Sequence, residues 1–223
     1  MKGKQDRRGF FIKILRTISA LFAGGLFFGA YAKQVKSEPS PIRPPGALNE
    51  SDFIKTCIKC GQCLEACPYS SIKLAKPFTG IAIGTPYLVV REIPCYMCED
   101  IPCVKPCPSG ALDKKMKEIG KAKMGLAVLI DHENCIAYQG LRCEVCYRAC
   151  PFIGKAITIE FIPNKRTGRH ALFIPVVHSN SCTGCGMCEH ACILDEAAIK
   201  VLPIEIAKGK LGKHYRFGWK DES

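Results

Sequence analysis

The stretch Cys57-Ile58-Lys59-Cys60-Gly61-Gln62-Cys63-Leu64-Glu65-Ala66-Cys67-Pro68 sets three cysteines two residues apart and a fourth three residues on, with proline behind it. Near copies follow as Cys95-x2-Cys98-x4-Cys103-x3-Cys107-Pro108 and Cys135-x7-Cys143-x2-Cys146-x3-Cys150-Pro151. The last is Cys182-x2-Cys185-x2-Cys188-x3-Cys192, where Ile193 stands in place of the proline. These four quartets use all sixteen cysteines of the 223-residue chain. The spacing suits a cubane of four irons. Two-residue gaps let a tight loop wrap three corners with its N–H groups aimed at the sulfides. The fourth thiolate reaches a neighbouring cluster in two-cluster proteins. It is expected to begin a short helix, with proline in the first turn, where a missing N–H costs nothing. Gly61, Gly184 and Gly186 sit inside the loops, where left-handed backbone is expected. The sequence therefore predicts four [4Fe–4S] clusters, with all sixteen cysteines as iron ligands and no catalytic residue.

Rival chemistries fit less well. Eight disulfides would not require a repeated triple spacing followed by x3-Cys-Pro. Structural zinc prefers two separated Cys-x2-Cys pairs. None of the five histidines is needed as a ligand; His190, inside the fourth quartet, reads as a loop residue that tunes a cluster at most. Arg142 and Arg148 flank third-quartet cysteines, where their charge would raise a cluster's potential or dock a partner. No Gly-rich phosphate loop and no nucleophile–base signature is present. The formal charge of +12 is no nucleic-acid footprint either. Residues 1–32 carry +5 of it, and four clusters at roughly −2 each offset the remaining +7.

The quartets repeat within a common frame. The gaps between them are 27, 27 and 31 residues. Apolar, β-branched runs at 87–91, 126–130 and 172–177 precede quartets two to four and read as strands. Apolar pairs at 71–72, 111–112, 156–157 and 198–199 follow the quartets. Strand, cluster loop, short helix, strand is a ferredoxin half-unit, and four halves make two modules. The expected fold is α+β: two ferredoxin-like two-cluster modules over residues 51–205.

The flanks read differently. Arg7-Arg8-Gly9-Phe10-Phe11, an uncharged run from Thr17 to Ala32 and the small-x-small ending Ala30-Tyr31-Ala32 resemble a twin-arginine export signal over residues 1–32. An uncleaved anchor is the alternative. Residues 33–50, with Pro39, Pro41, Pro44 and Pro45, read as an extended linker. Residues 206–223 form a basic, aromatic tail suited to docking a partner.

Quartet two, with its x4 gap, looks like the second motif of four-cluster polyferredoxins. Quartet three, Cys135-Ile-Ala-Tyr-Gln-Gly-Leu-Arg-Cys143-Glu-Val-Cys146-Tyr-Arg-Ala-Cys150-Pro151, is more specific. With the twin-arginine start and the tail His214-Tyr-Arg-Phe-Gly-Trp219, it resembles the NapG/MauM family of ferredoxin-type proteins over nearly the whole chain. The resemblance implies export in the folded state by the twin-arginine machinery and a periplasmic, membrane-associated electron carrier. It implies a membrane quinol-oxidising partner of the NapH type and delivery to periplasmic nitrate reductase or its cytochrome subunit. Service to another exported oxidoreductase, such as an amine dehydrogenase in the MauM manner, is the alternative. An enzyme with an open iron, and an assembly protein whose clusters only staple the fold, are the rivals from other classes. Four-cluster relatives imply that quartet one pairs with four and two with three. Cys192 would then join Cys57, Cys60 and Cys63, Cys67 would join Cys182, Cys185 and Cys188, Cys150 would join Cys95, Cys98 and Cys103, and Cys107 would join Cys135, Cys143 and Cys146. Sequential pairing, one with two and three with four, stays open.

Overall fold

The computed structural model describes residues 15–19, 21, 24, 25, 41–77, 79–164, 168 and 170–208. The expected Arg7-Arg8 signal, its cleavage motif at 30–32 and the tail from residue 209 lie outside them. The chain divides into two compact units. In the first, residues 1–38 with 77–80, residues 15–19 are helical and the Ser19 hydroxyl donates to the Arg16 carbonyl at 3.0 Å. Among the described residues, no helix is long and apolar enough to cross a membrane. The second unit, residues 39–76 and 81–223, contains every cysteine.

Two similar modules make up the second unit. The first opens with α1 (Glu50–Thr56). Asn49 caps it, its side chain accepting from the Asp52 N–H at 3.0 Å, and Glu50 and Asp52 add negative charge to the first turn. Phe53 is its fully buried anchor. Strands β1 (Ile72–Leu74) and β2 (Pro86–Leu88) form an antiparallel hairpin between the first two quartets, with Ile72 opposite Leu88. An outer pair is reduced to the bridge Ala47–Leu112, reinforced by Leu48 N–H to Ala111 O at 3.1 Å and Asp113 N–H to Gly46 O at 2.7 Å.

The second module repeats this plan with longer strands. Outer strands β3 (Leu126–Leu129) and β6 (Ile199–Leu202) pair antiparallel around both later quartets. Inner strands β4 (Ile157–Pro163) and β5 (Ala171–Val177) form the hairpin between them, with Ile157 opposite Val177. Buried Leu126, Ile157, Ile199 and Val201 supply apolar contacts from these strands. Helix α5 (Ile204–Lys208) follows β6 and buries Ala207.

Two local expectations need correction. The Pro-rich stretch joins the fold from Pro41 onward and is no linker there. Pro44 is fully buried, Ile42 bridges Leu88, and Arg43 is buried. Its guanidinium binds Glu50 at 2.5 and 2.8 Å, the Thr85 hydroxyl at 3.0 Å and the Pro86 carbonyl at 2.7 Å, and lies over the Phe53 ring. The short helices also sit earlier than expected. Helices α2 (Gln62–Glu65), α3 (Val145–Ala149) and α4 (Met187–Ala191) begin just before the third cysteine and stop at or before the fourth. Cys150 and Cys192 are extended C-caps, with ψ of 124° and 127°. At Cys67 and Cys150 the physical reason is that a residue before proline is driven out of the helical region, whereas α4, followed by Ile193, stops without one. Where it stands, the proline thus ends the helix that precedes it.

Candidate iron–sulfur centres

Backbone geometry around the cysteines explains their spacing. Lys59, Met97 and Gly184, each just before the second cysteine of its loop, have positive φ of 60°, 56° and 74°. Gly61 and Gly186, just after the second cysteine in quartets one and four, have φ of 76° and 83°. Left-handed residues curl successive N–H groups towards one point, which is how a short loop cradles a negative group. The third quartet reaches the same end by a different route. Its seven-residue insertion folds on itself through Tyr138 and Gln139 N–H to Cys135 O at 2.9 and 3.0 Å.

All sixteen cysteines are free thiols, and they gather by site. One apolar cavity is lined by Cys95, Cys98 and Cys103 together with Cys67 from the first quartet. A second brings Cys135, Cys143 and Cys146 together with Cys192. A third brings Cys182, Cys185 and Cys188 together with Cys150. Cys67 therefore joins quartet two, and quartets three and four exchange Cys150 and Cys192. This overturns the expected pairing of one with four and two with three. The cause lies in the strands: β3–β6 and the Ala47–Leu112 bridge each enclose two consecutive quartets.

Among the described residues, no three Cys, His, Asp or Glu side chains converge as they would on one metal ion. Thiolates around a tetrahedral zinc stand about 3.8 Å apart, given a Zn–S bond of about 2.3 Å. Four thiols spread around a cavity instead match a ligand of several atoms.

Burial and neighbouring thiols together perturb these cysteines. Burial, then the neighbouring Cys95, Cys67 and Cys63, pushes the Cys103 thiol up to about 12. Burial, then Cys135, Cys143 and Cys192, pushes Cys146 up to about 12. Cys63, Cys95 and Cys150 are each raised to about 11, chiefly by burial. Thiols held so close in apolar surroundings resist ionisation unless a cation shares their charge. Cys107 is the exception. Burial raises it, but N–H groups of Leu112, Gly110 and Ser109 and the Ser109 hydroxyl outweigh that and place it below the ordinary thiol range. The donor set suits an iron–sulfur cluster, since thiolate sulfurs with N–H donors are what such clusters bind.

Several residues had no signal in the sequence. The Arg91 guanidinium gathers carbonyls at the end of α4: Glu189 at 2.5 Å, Cys192 at 2.9 Å and Leu194 at 2.6 Å. It does so in the one quartet that lacks its proline. His190 is no bystander there, for its Nδ1 meets the Arg91 carbonyl at 2.9 Å. Glu189 is buried, and its carboxylate accepts the Val201 N–H at 2.6 Å, tying α4 to β6. Arg142 and Arg148 are both held by Glu144, at 2.8 and 2.6 Å.

Comparison with known proteins agrees with this arrangement. The family model for a 4Fe-4S dicluster domain matches residues 56–111, which hold all of quartets one and two, and residues 140–195, which begin after Cys135 and hold the other seven cysteines of quartets three and four. With sixteen cysteines, the two dicluster segments fit four [4Fe–4S] clusters. The chain is 55% identical over 218 residues to the ferredoxin-type protein NapG of Escherichia coli (strain K12), covering 98% of this chain and 94% of that one. Identity to NapG of Haemophilus influenzae is 53% over 220 residues, covering 98% and 79%. Identity to the methylamine utilization ferredoxin-type protein MauM of Methylorubrum extorquens is 49% over 191 residues, covering 85% and 86%. No solved structure matches the chain. The chain belongs to the NapG/MauM family of ferredoxin-type iron–sulfur proteins.

Proposed function

We propose that this protein carries single electrons from a membrane quinol-oxidising partner of the NapH type towards a periplasmic nitrate reductase or its cytochrome subunit. Each bound [4Fe–4S] group supplies a one-electron redox centre, and the chain's own residues hold, insulate and space these centres. The sixteen cysteines act as iron ligands in four sets: Cys57, Cys60, Cys63 with Cys107; Cys95, Cys98, Cys103 with Cys67; Cys135, Cys143, Cys146 with Cys192; and Cys182, Cys185, Cys188 with Cys150. The observation that carries the reading is the gathering of four thiols, three plus one exchanged, about each of three cavities. Every quartet is complete, so no iron is left open for a substrate. Residues 1–32 direct export through the twin-arginine machinery, which carries folded, loaded proteins, and the mature protein works in the periplasm at the membrane. Residues 206–223 contribute to partner docking.

High identity to both NapG and MauM proteins favours one second reading, service to an exported amine-oxidising system. The test is anaerobic iron and sulfide analysis with a low-temperature EPR redox titration, then quinol-driven reduction with the membrane partner. About sixteen iron per chain, reducible by quinol, is the expected result. Four or fewer iron, or clusters that never change oxidation state, overturns the carrier reading. Loss of nitrate respiration on deletion separates the two acceptors.

A further inference from the structure

Besides a shared apolar core, the two modules touch through one pair of cluster loops. Cys95 N–H donates to Cys185 O at 2.9 Å, so the second-quartet loop is hydrogen-bonded directly to the fourth-quartet loop. The Thr183 hydroxyl contacts the Met97 sulfur at 3.7 Å. The fit has no slack. A Cβ at Gly186 would lie 2.2 Å from the Val90 Cβ. Lys123 adds bonds to the Asn180 and Cys182 carbonyls at 2.7 and 3.3 Å. Arg91 reaches across to five carbonyls between Glu189 and Asp195.

Among the described residues, the backbone hydrogen bonds of the first-quartet loop and of the third-quartet loop stay inside their own modules. Within the modules, neighbouring sites share a loop: Cys67 of the first quartet lines the second-quartet cavity, and Cys150 and Cys192 cross between the third and fourth. The fourth-quartet loop is the most enclosed and the first the most open. Cys182, Cys185 and Cys188 are all buried, whereas Cys60 is exposed. Ile58 beside Cys57, and Leu141 and Ile193 beside the third-quartet site, are each 63% exposed.

We infer that the four sites stand in single file, first quartet, second, fourth, third, with the electron crossing between modules at the Cys95–Cys185 contact. This rests on the electron-carrier reading above. Tunnelling falls off exponentially with distance, so the crossing belongs where the two loops touch. One electron leaves the second-quartet site, which is oxidised by one unit, and the fourth-quartet site is reduced by one. No proton or atom moves. The donor and acceptor outside the chain are the quinol-oxidising partner and the nitrate-reducing system, each meeting one open end of the file. Arg91 is a positioning residue at the junction, touching no redox centre itself.

The test is EPR on the fully loaded, reduced protein, where neighbouring paramagnetic sites broaden and split each other's signals. Cys98→Ser should lose about four of sixteen iron and leave the first-quartet site with a narrow, uncoupled signal. The third and fourth sites should stay coupled, and the narrow signal should vanish in Cys60→Ser/Cys98→Ser. A first-quartet signal still split after loss of the second site overturns the file alone. Iron far below sixteen in the parent protein overturns the carrier reading and the file with it. Should the variants fail to fold, hydrogen exchange on the loaded parent protein decides. Slow exchange at the Cys95 amide supports the junction, and fast exchange there overturns it.

Discussion

Glycine at 184 is required twice over. Its φ of +74° is left-handed, and its α-carbon faces the Gly125 backbone with no room for a methyl group. Left-handed backbone costs an alanine about 1–2 kcal/mol, and overpacking adds about 1–3 kcal/mol more. Gly110 has a similar φ, +76°, but open space around it. Gly184→Ala should therefore lower the temperature at which visible cluster absorbance is lost far more than Gly110→Ala. Equal effects would mean that the close approach to Gly125 is unimportant. The thiols make a second prediction. Cys103 and Cys146 are raised to about 12 by burial and by their neighbours. An empty site therefore holds protons that a loaded site must give up, so loading is favoured by rising pH and reversed by falling pH. Proton release during anaerobic reconstitution should persist at pH 10, well above the ordinary thiol value of about 8.5. Release already gone by pH 10 would show that these thiols are unperturbed.

Helices of four or five residues are too short to be stable on their own. They are held here by what collects their ends. Cys150 needs only Pro151 behind it to leave the helical region, whereas Cys192 has Ile193 and reaches the same extended conformation under the Arg91 fork. Arg91→Ala should cost about 2 kcal/mol, the scale of losing hydrogen bonds to a charged donor. Cluster loss on warming should then start at the fourth-quartet site. Arg91→Lys should recover little, because an ammonium has no planar fork to span several carbonyls. Full recovery with lysine would reduce Arg91 to a simple charge. In the sequence, Arg91 is one more residue at the end of an apolar run. Its partners lie about a hundred positions downstream, so neither its role nor that of Arg43 leaves a local pattern.

Topology makes each pair of consecutive quartets one cooperative unit, and that has a countable consequence. Cys67 belongs with Cys98, although it follows Cys63 in the chain. Cys67→Ser/Cys98→Ser should lose about the same four iron as either single substitution, while Cys60→Ser/Cys67→Ser should lose about eight. Iron analysis of the refolded, reconstituted variants distinguishes the two, and the reverse pattern would restore ligation within single quartets. The two modules differ in how much sheet encloses the quartets. The outer pair is four residues long in β3–β6 and a single bridge at Ala47–Leu112.

The sequence by itself determined the number of clusters, the α+β repeat and the family, because loop spacing and a repeating frame are local properties that residues a few positions apart enforce. Strands near 126–130 and 172–177 were legible for the same reason, as apolar β-branched runs. The exchange of Cys67, Cys150 and Cys192 was decided only by the tertiary structure. A fourth thiol leaves its loop in an extended conformation, and which cavity it enters depends on strands that pair across fifty residues or more, as Leu126 does with Leu202. Burial of residues 42–45 and the junction at Cys95–Cys185 were hidden likewise, since proline and polar residues read as solvated until distant partners cover them. Spacing specified what each loop binds, and long-range pairing specified which loops share it.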